Sequence, residues 1–153
     1  VSNLTQEDFI DWGEEEKYLK EIGIGECAGV VIDLIATLFL ESDEKIENAN
    51  EAFGNGVYSG AIYYAYQSIV NSAKASLLAA EKKTNTHASI ISQFDEFFIT
   101  SQKIDLGSSF ADLIYQINKY APTKEFAEKY IKDAGRFLQK VRAYRETETS
   151  VAQ

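Results

Sequence analysis

Apolar residues recur every three or four positions through most of the chain, and no segment alternates with the period of two that marks a strand. Between Glu26 and Phe53, the residues Ile32, Ile35, Phe39, Ile46, Ala49 and Phe53 share one helical face. Val31, Leu34 and Leu38 add a second. A helix that is apolar on two sides belongs at the centre of a bundle or at a subunit interface. Gly54-Asn55-Gly56 ends it with the glycine chemistry of helix C-termini.

A second long helix is predicted from about Tyr58 to Lys82. Ala61, Ala65, Ser68, Ser72 and Ser76 form a small-residue stripe that lets a neighbour approach closely. Ile62, Tyr66, Ile69, Ala73, Leu77 and Ala80 form another stripe. Thr84-Asn85-Thr86 breaks this helix and caps the next, about His87 to Thr100, whose apolar face is Ile90, Ile91, Phe94, Phe97 and Phe98. Ile104 to Ser108 reads as a loop. Ser109 caps a short helix through Leu113, Ile114 and Ile117 to about Tyr120. Pro122 stands near the start of a last helix, where a missing N–H costs little. Phe126, Tyr130, Ala134, Phe137, Val141 and Tyr144 repeat along that helix.

The fold class is therefore all-α, an up-and-down bundle of about five helices with short connections. Residues 1–25 form an acidic lead-in, with Trp12, a short helix around Glu14–Glu21, and Gly23, Gly25 and Gly29 as a flexible entry to the first long helix. The bundle domain spans 26–145, and 146–153 reads as a frayed tail. A chain that opens on Val1 and contains no methionine reads as a piece of a longer protein or as an engineered domain boundary.

Composition adds limits. With 153 residues the chain can bury a sizeable core without disulfides or metal. It carries 24 acidic and 15 basic side chains, a net charge of −9, and this argues against nonspecific nucleic-acid binding. The charge is segregated: residues 1–51 hold 14 acids and three lysines, whereas 119–145 hold eight bases and three acids. That basic stretch reads either as a solvated face beside the acidic third or as a stripe for phosphates. The first residues show no basic-plus-apolar signal pattern. The apolar run Cys27–Leu40, interrupted by Asp33 and Thr37, is too short to span a membrane, so a cytoplasmic location is expected.

One cysteine and one histidine exclude an internal disulfide, a four-Cys zinc or iron–sulfur site and multi-His metal centres. The residue three before His87 is Thr84, so even a single Glu-x-x-His pair of the di-iron bundles is missing. Glu26 and Asp33 share a helix face but lack partners. Cys27 reads as a small buried hydrophobe rather than a nucleophile. Gly23-x-Gly25-x-x-x-Gly29 has the wrong spacing for a phosphate loop and follows no strand. No metal, cofactor or catalytic group is expected.

What remains is a candidate ligand set. His87, at a helix start, reads as a cap or as a ligand contact in a groove with Tyr66 and Lys74. Lys74, a long cation among small residues, reads alternatively as a snorkelling side chain. Lys132 and Arg136 supply the cationic face of the last helix. Tyr66, Lys74, His87, Lys132 and Arg136 are thus the candidate contacts for a nucleotide or another small anion.

Ala49 to Ala61, with Gly56-x-Tyr58-x-x-Ala61, followed by Lys74-Ala75-Ser76-Leu77-Leu78, Thr86-His87 and Phe94, resembles HEPN domains over about residues 44–145. The resemblance implies a small helical bundle that dimerises. It also implies one of three roles: nucleotide or RNA binding, partnership with nucleotidyltransferases, or metal-independent RNA cleavage. The cleaving members carry Arg-x(4–6)-His on one helix. Here Arg136, Arg142 and Arg145 all follow the sole histidine, so that motif cannot form and no such RNase activity is expected.

Trp12-Gly13-Glu14-Glu15 and the segment Gly23 to Gly29 resemble the junction at which an HEPN-like tail follows bacterial nitrite/sulfite reductase-like chains. That resemblance implies a parent enzyme whose sirohaem and cluster lie elsewhere. Two functional classes follow: a non-catalytic module that binds a nucleotide or anion, or a structural dimerisation appendage.

Overall fold

The computed structural model describes residues 24–84 and 86–152. Among them are five helices and no strand: α1 (Ile24–Gly54), α2 (Tyr58–Ala79), α3 (His87–Phe94), α4 (Phe110–Lys119) and α5 (Lys124–Ala152). The helix α3 runs directly into one π-helical turn, Asp95–Ile99. The acidic lead-in and its short helix at Glu14–Glu21 lie outside the described residues.

The helix α2 is the central element and packs on α1, α3, α4 and α5. The connection from α1 to α2 is closed by backbone geometry. Gly56 takes φ +79°, Gly56 N–H donates to Phe53 O at 3.0 Å, and Val57 N–H donates to Ala52 O at 2.9 Å. This is the glycine-terminated motif in which the last carbonyls find donors beyond the helix. A side chain other than glycine rarely adopts that backbone conformation.

The small-residue stripe of α2 works inside the molecule. Ser68, Ser72 and Ser76 are buried, and the Ser68 hydroxyl donates to the Ser42 carbonyl of α1 at 2.9 Å. Ser72 and Ser76 return their protons to carbonyls one turn back, Ser68 O at 2.8 Å and Ser72 O at 2.9 Å. Each buried hydroxyl is thereby satisfied while its small volume admits the neighbouring backbone. The stripe therefore serves the contact between α2 and α1, and it is not available to a second copy.

On α1 the buried face is Ile35, Phe39, Ser42 and Ala49. Ile32, which the periodicity assigns to that face, is instead 58% exposed, and Leu40 is 63% exposed. Ile32 lies one turn before Ile35, the first buried residue of that face, so the N-terminal end of α1 leaves the core while its C-terminal half stays packed against it. Gly25 and Gly29 lie within α1 rather than in a flexible entry to it.

The core between α3, α4 and α5 is aromatic. Phe94 packs on Phe98, Phe110 and Phe137 with ring centroids 4.7, 4.5 and 5.3 Å away. The expected caps are present: Ser89 N–H donates to Thr86 Oγ1 at 3.0 Å, and Asp112 N–H to Ser109 Oγ at 3.0 Å.

Thr123 caps α5, its Oγ1 accepting from Phe126 N–H at 3.2 Å, and Pro122 stands just before the cap, near the start of the helix as expected. One boundary differs from expectation. The helix α5 continues through Ala152, and the tail expected to fray at 146–153 is helical to that point. Thr147 Oγ1 donates to the Ala143 carbonyl at 3.0 Å there, and Glu148 accepts from Tyr144, whose ionisation is pushed up by burial and by that carboxylate. No helix among the described residues is long and apolar enough to cross a membrane.

Candidate functional site

Two openings flank α4. The first is a cavity of about 540 Å³ bounded by α2, α3, α4 and the turn into α5. From α2 it takes Ser59, Ile62, Tyr63 and Tyr66; from α3, His87, Ala88 and Ile91; and from α4 and the turn, Tyr115, Asn118, Tyr120, Pro122 and Phe126 among others. Its wall is mainly aromatic and aliphatic with few polar atoms, the character of a site for a flat apolar group held by selected hydrogen bonds.

The polar atoms are arranged. The Tyr66 hydroxyl and His87 Nδ1 share a hydrogen bond of 2.9 Å, with the rings 6.1 Å apart. The bond joins the third turn of α2 to the first residue of α3, and the Thr86 cap fixes where that first residue stands. Behind them lies Tyr130 of α5, fully buried, with a hydroxyl that has no hydrogen-bond partner among the described residues. Burial pushes its ionisation far above the ordinary tyrosine range, and the Tyr66 phenol and the Asp133 carboxylate add to the effect. Tyr120 and Phe126, with centroids 5.2 Å apart, continue the aromatic wall toward Tyr130.

The second opening is a groove of about 330 Å³ on the other side of α4, lined by Lys129, Asp133, Arg136 and Lys140 of α5 with Gln116, Leu113 and the loop residues Leu106 and Ser108.

The five candidate residues are therefore divided. Tyr66 and His87 meet in the cavity. Arg136 lines the groove instead. Lys132 points away from both and pairs with Glu128 one turn back, at 3.3 Å with both side chains exposed. Lys74 is half-buried two turns beyond Tyr66 on α2 and lines neither opening. The five residues grouped from the sequence are thus not brought together: two line the cavity, one lines the groove and two line neither.

Residues that reasoning from the sequence did not select are Tyr115, Tyr120, Pro122 and Phe126 in the cavity and Lys129 and Lys140 in the groove. The 129/136/140 spacing on one helix face carried a signal for the last two. The aromatic wall carried none, because it forms only when the turn between α4 and α5 folds against α2. Cys27 and Glu26 have no described side-chain surroundings. Among the described residues no group of three His, Cys, Asp or Glu is placed to hold a metal ion.

Comparison with known proteins agrees with this architecture. The chain is similar to a protein of the archaeon Methanocaldococcus jannaschii described as a candidate toxin, with 29% identity over 115 residues that cover 71% of this chain and 86% of that one. The sequence profile of the HEPN domain matches residues 35–144, from the middle of α1 to near the end of the aromatic face of α5. With that match covering more than two thirds of the chain, the chain belongs to the HEPN domain family.

Proposed function

We propose that this chain is a non-catalytic HEPN module that binds a nucleotide through its base in the Tyr66–His87 cavity. The observation that carries the reading is the hydrogen-bonded Tyr66–His87 pair set in a wall of aromatic side chains. A purine or pyrimidine ring stacks on such a wall, and base–aromatic stacking is worth about 1–3 kcal/mol per base. The imidazole and the phenol supply the few directional contacts that orient it. Exposed Lys119 and Lys124, which bracket in sequence the lining residues Tyr120 and Pro122, add cationic charge to the segment that forms the cavity's edge.

The description of the archaeal relative as a candidate toxin favours a second reading, RNA cleavage. His87 is the sole histidine and it faces the cavity, but no arginine precedes it on α3 in the pattern of the cleaving members. The exposed Ile32 and Leu40 favour a third, a homodimer built on α1. Attachment to a larger reductase-like protein rests only on residues 12–29, and the binding reading does not need it.

The test is a thermal-shift and calorimetric screen with adenosine, guanosine, ATP, GTP and a short RNA. A ligand at 100 times its Kd adds about 2.7 kcal/mol, roughly 5–10 °C for a chain of this size. A base-selective shift that is lost in Tyr66→Phe and His87→Ala is the expected result. A flat screen with a concentration-dependent dimer returns the structural reading. RNA cleavage abolished by His87→Ala overturns the non-catalytic one.

A further inference from the structure

The groove on the far side of α4 has a charge pattern of its own. Lys129, Asp133, Arg136 and Lys140 stand at i, i+4, i+7 and i+11 on α5, which puts them on one helix face. Three cations share a single lining carboxylate. Lys129 Nζ lies 2.8 Å from Asp133 Oδ2 and 2.8 Å from Gln116 Oε1. Arg136 Nη1 stands 3.7 Å from Asp133, an ion pair without a hydrogen bond, and the side chain is 65% exposed. Lys140 Nζ donates to the backbone carbonyl of Asp105, a neutral acceptor. The carboxylate of Asp105 is turned to its own loop, accepting from Gly107 N–H at 2.8 Å. Positive charge is therefore in excess in this groove, in a chain whose net charge is −9. Leu106, Leu113 and Phe137 back it with apolar surface, which strengthens an electrostatic contact made against it.

We propose that this groove is a second binding site, for a compact polyanion of the di- or triphosphate type. Arg136 is the bidentate donor, and Lys129 and Lys140 are flanking point charges. The site is separate from the aromatic cavity because α4 stands between them. Leu113 and Gln116 face the groove, whereas Ile114, Tyr115 and Asn118 face the cavity. The inference does not rest on the base-binding reading.

The test is calorimetric titration of inorganic pyrophosphate into the full chain at about 150 mM ionic strength, where diffuse surface attraction is screened. The expected result is saturable one-site binding with a Kd below about 1 mM, weakened at least about tenfold in Arg136→Gln/Lys140→Gln. Lys132→Gln removes one charge from the same helix outside the groove and leaves the affinity within about twofold. Absence of saturable binding up to about 10 mM overturns the proposal. So does an equal loss in Lys132→Gln, which marks diffuse attraction to a basic helix. Adenosine titrated in parallel reports on the cavity alone: pyrophosphate binding without adenosine binding removes the base reading and keeps this site, and the reverse does the opposite.

Discussion

Arg142 sets its two terminal nitrogens 2.7 Å from the two carboxylate oxygens of Asp43, 99 positions earlier in the chain. The same guanidinium reaches the Phe39 carbonyl at 3.3 Å and lies 5.3 Å from the Phe39 ring centroid. The clamp ties α5 to α1. The hydrogen bonds from Arg142 hold the Asp43 carboxyl below the usual carboxylate range, against a smaller opposing effect of burial. A carboxylate lowered in the folded state stabilises it above the unfolded value near 4, and that contribution disappears as pH falls through the folded value. With side chains 38% and 43% exposed, the pair is worth about 0.5–1 kcal/mol. Asp43→Asn is expected to lower the urea midpoint at pH 7, and the gap to the parent chain should narrow as the pH falls below about 4.

Glu81 ends α2 with φ +61°, in the position a glycine takes at the end of α1. Lys82 N–H donates to Leu77 O at 2.8 Å and Glu81 N–H to Leu78 O at 3.0 Å, the same closing pattern. A non-glycine residue in the left-handed region costs about 1–2 kcal/mol, part of which glycine returns as unfolded-state entropy. Glu81→Gly should therefore stabilise by about 0.5–1 kcal/mol. A melting temperature raised by a few degrees is the expected readout; a lowered one contradicts the argument.

The carboxylate of Asp95 accepts Phe110 N–H at 2.6 Å and Ala111 N–H at 3.0 Å, capping the start of α4 from the π-helical turn. Negative charge at a helix N-terminus and satisfied first-turn donors each favour the helix. Asp95→Ala is expected to cost about 1–2 kcal/mol. Because α4 walls both openings, the same variant should weaken adenosine and pyrophosphate together, a result that neither Tyr66→Phe nor Arg136→Gln would give.

Tyr130 buries a hydroxyl that nothing described satisfies. Removing an unsatisfied buried donor without changing shape is neutral or favourable, so Tyr130→Phe should raise stability by up to about 1 kcal/mol. A drop of similar size in thermal melts would mean that a water molecule or a ligand atom meets this hydroxyl.

Helix identity was legible because each helix buries a periodic apolar face. Caps were legible where Ser109 and Thr86 precede that face. The π-helical turn was not: Phe94, Phe97 and Phe98 suit a continuous α-helix equally well, and only the reach of Asp95 toward the α4 N-terminus distinguishes the two. The clamp between Asp43 and Arg142 was equally invisible, because nothing local links residues so far apart. Of the groove read around His87, the structure brings Tyr66 to the histidine but leaves Lys74, two turns further along α2, outside both openings. Lys132 and Arg136 were grouped by charge, but four residues on a helix also fix separate partners, and Glu128 claims one while the groove takes the other. The packed serine stripe shows the opposite failure, since a row of small residues reads the same whether its neighbour lies within the chain or in a second copy.

The position of α4 has a kinetic consequence. It is ten residues long and buries only Phe110, Leu113 and Ile114, with the Asp95 and Ser109 caps at its start and the Lys129–Gln116 contact on its outer side, whereas α1, α2 and α5 share long buried seams. Amide protons of α4 should therefore exchange through a partial opening that leaves those three helices intact, well before global unfolding exposes Ile69 or Ala73. Occupancy of either opening would then register as slowed exchange along a helix the ligand touches on one side only.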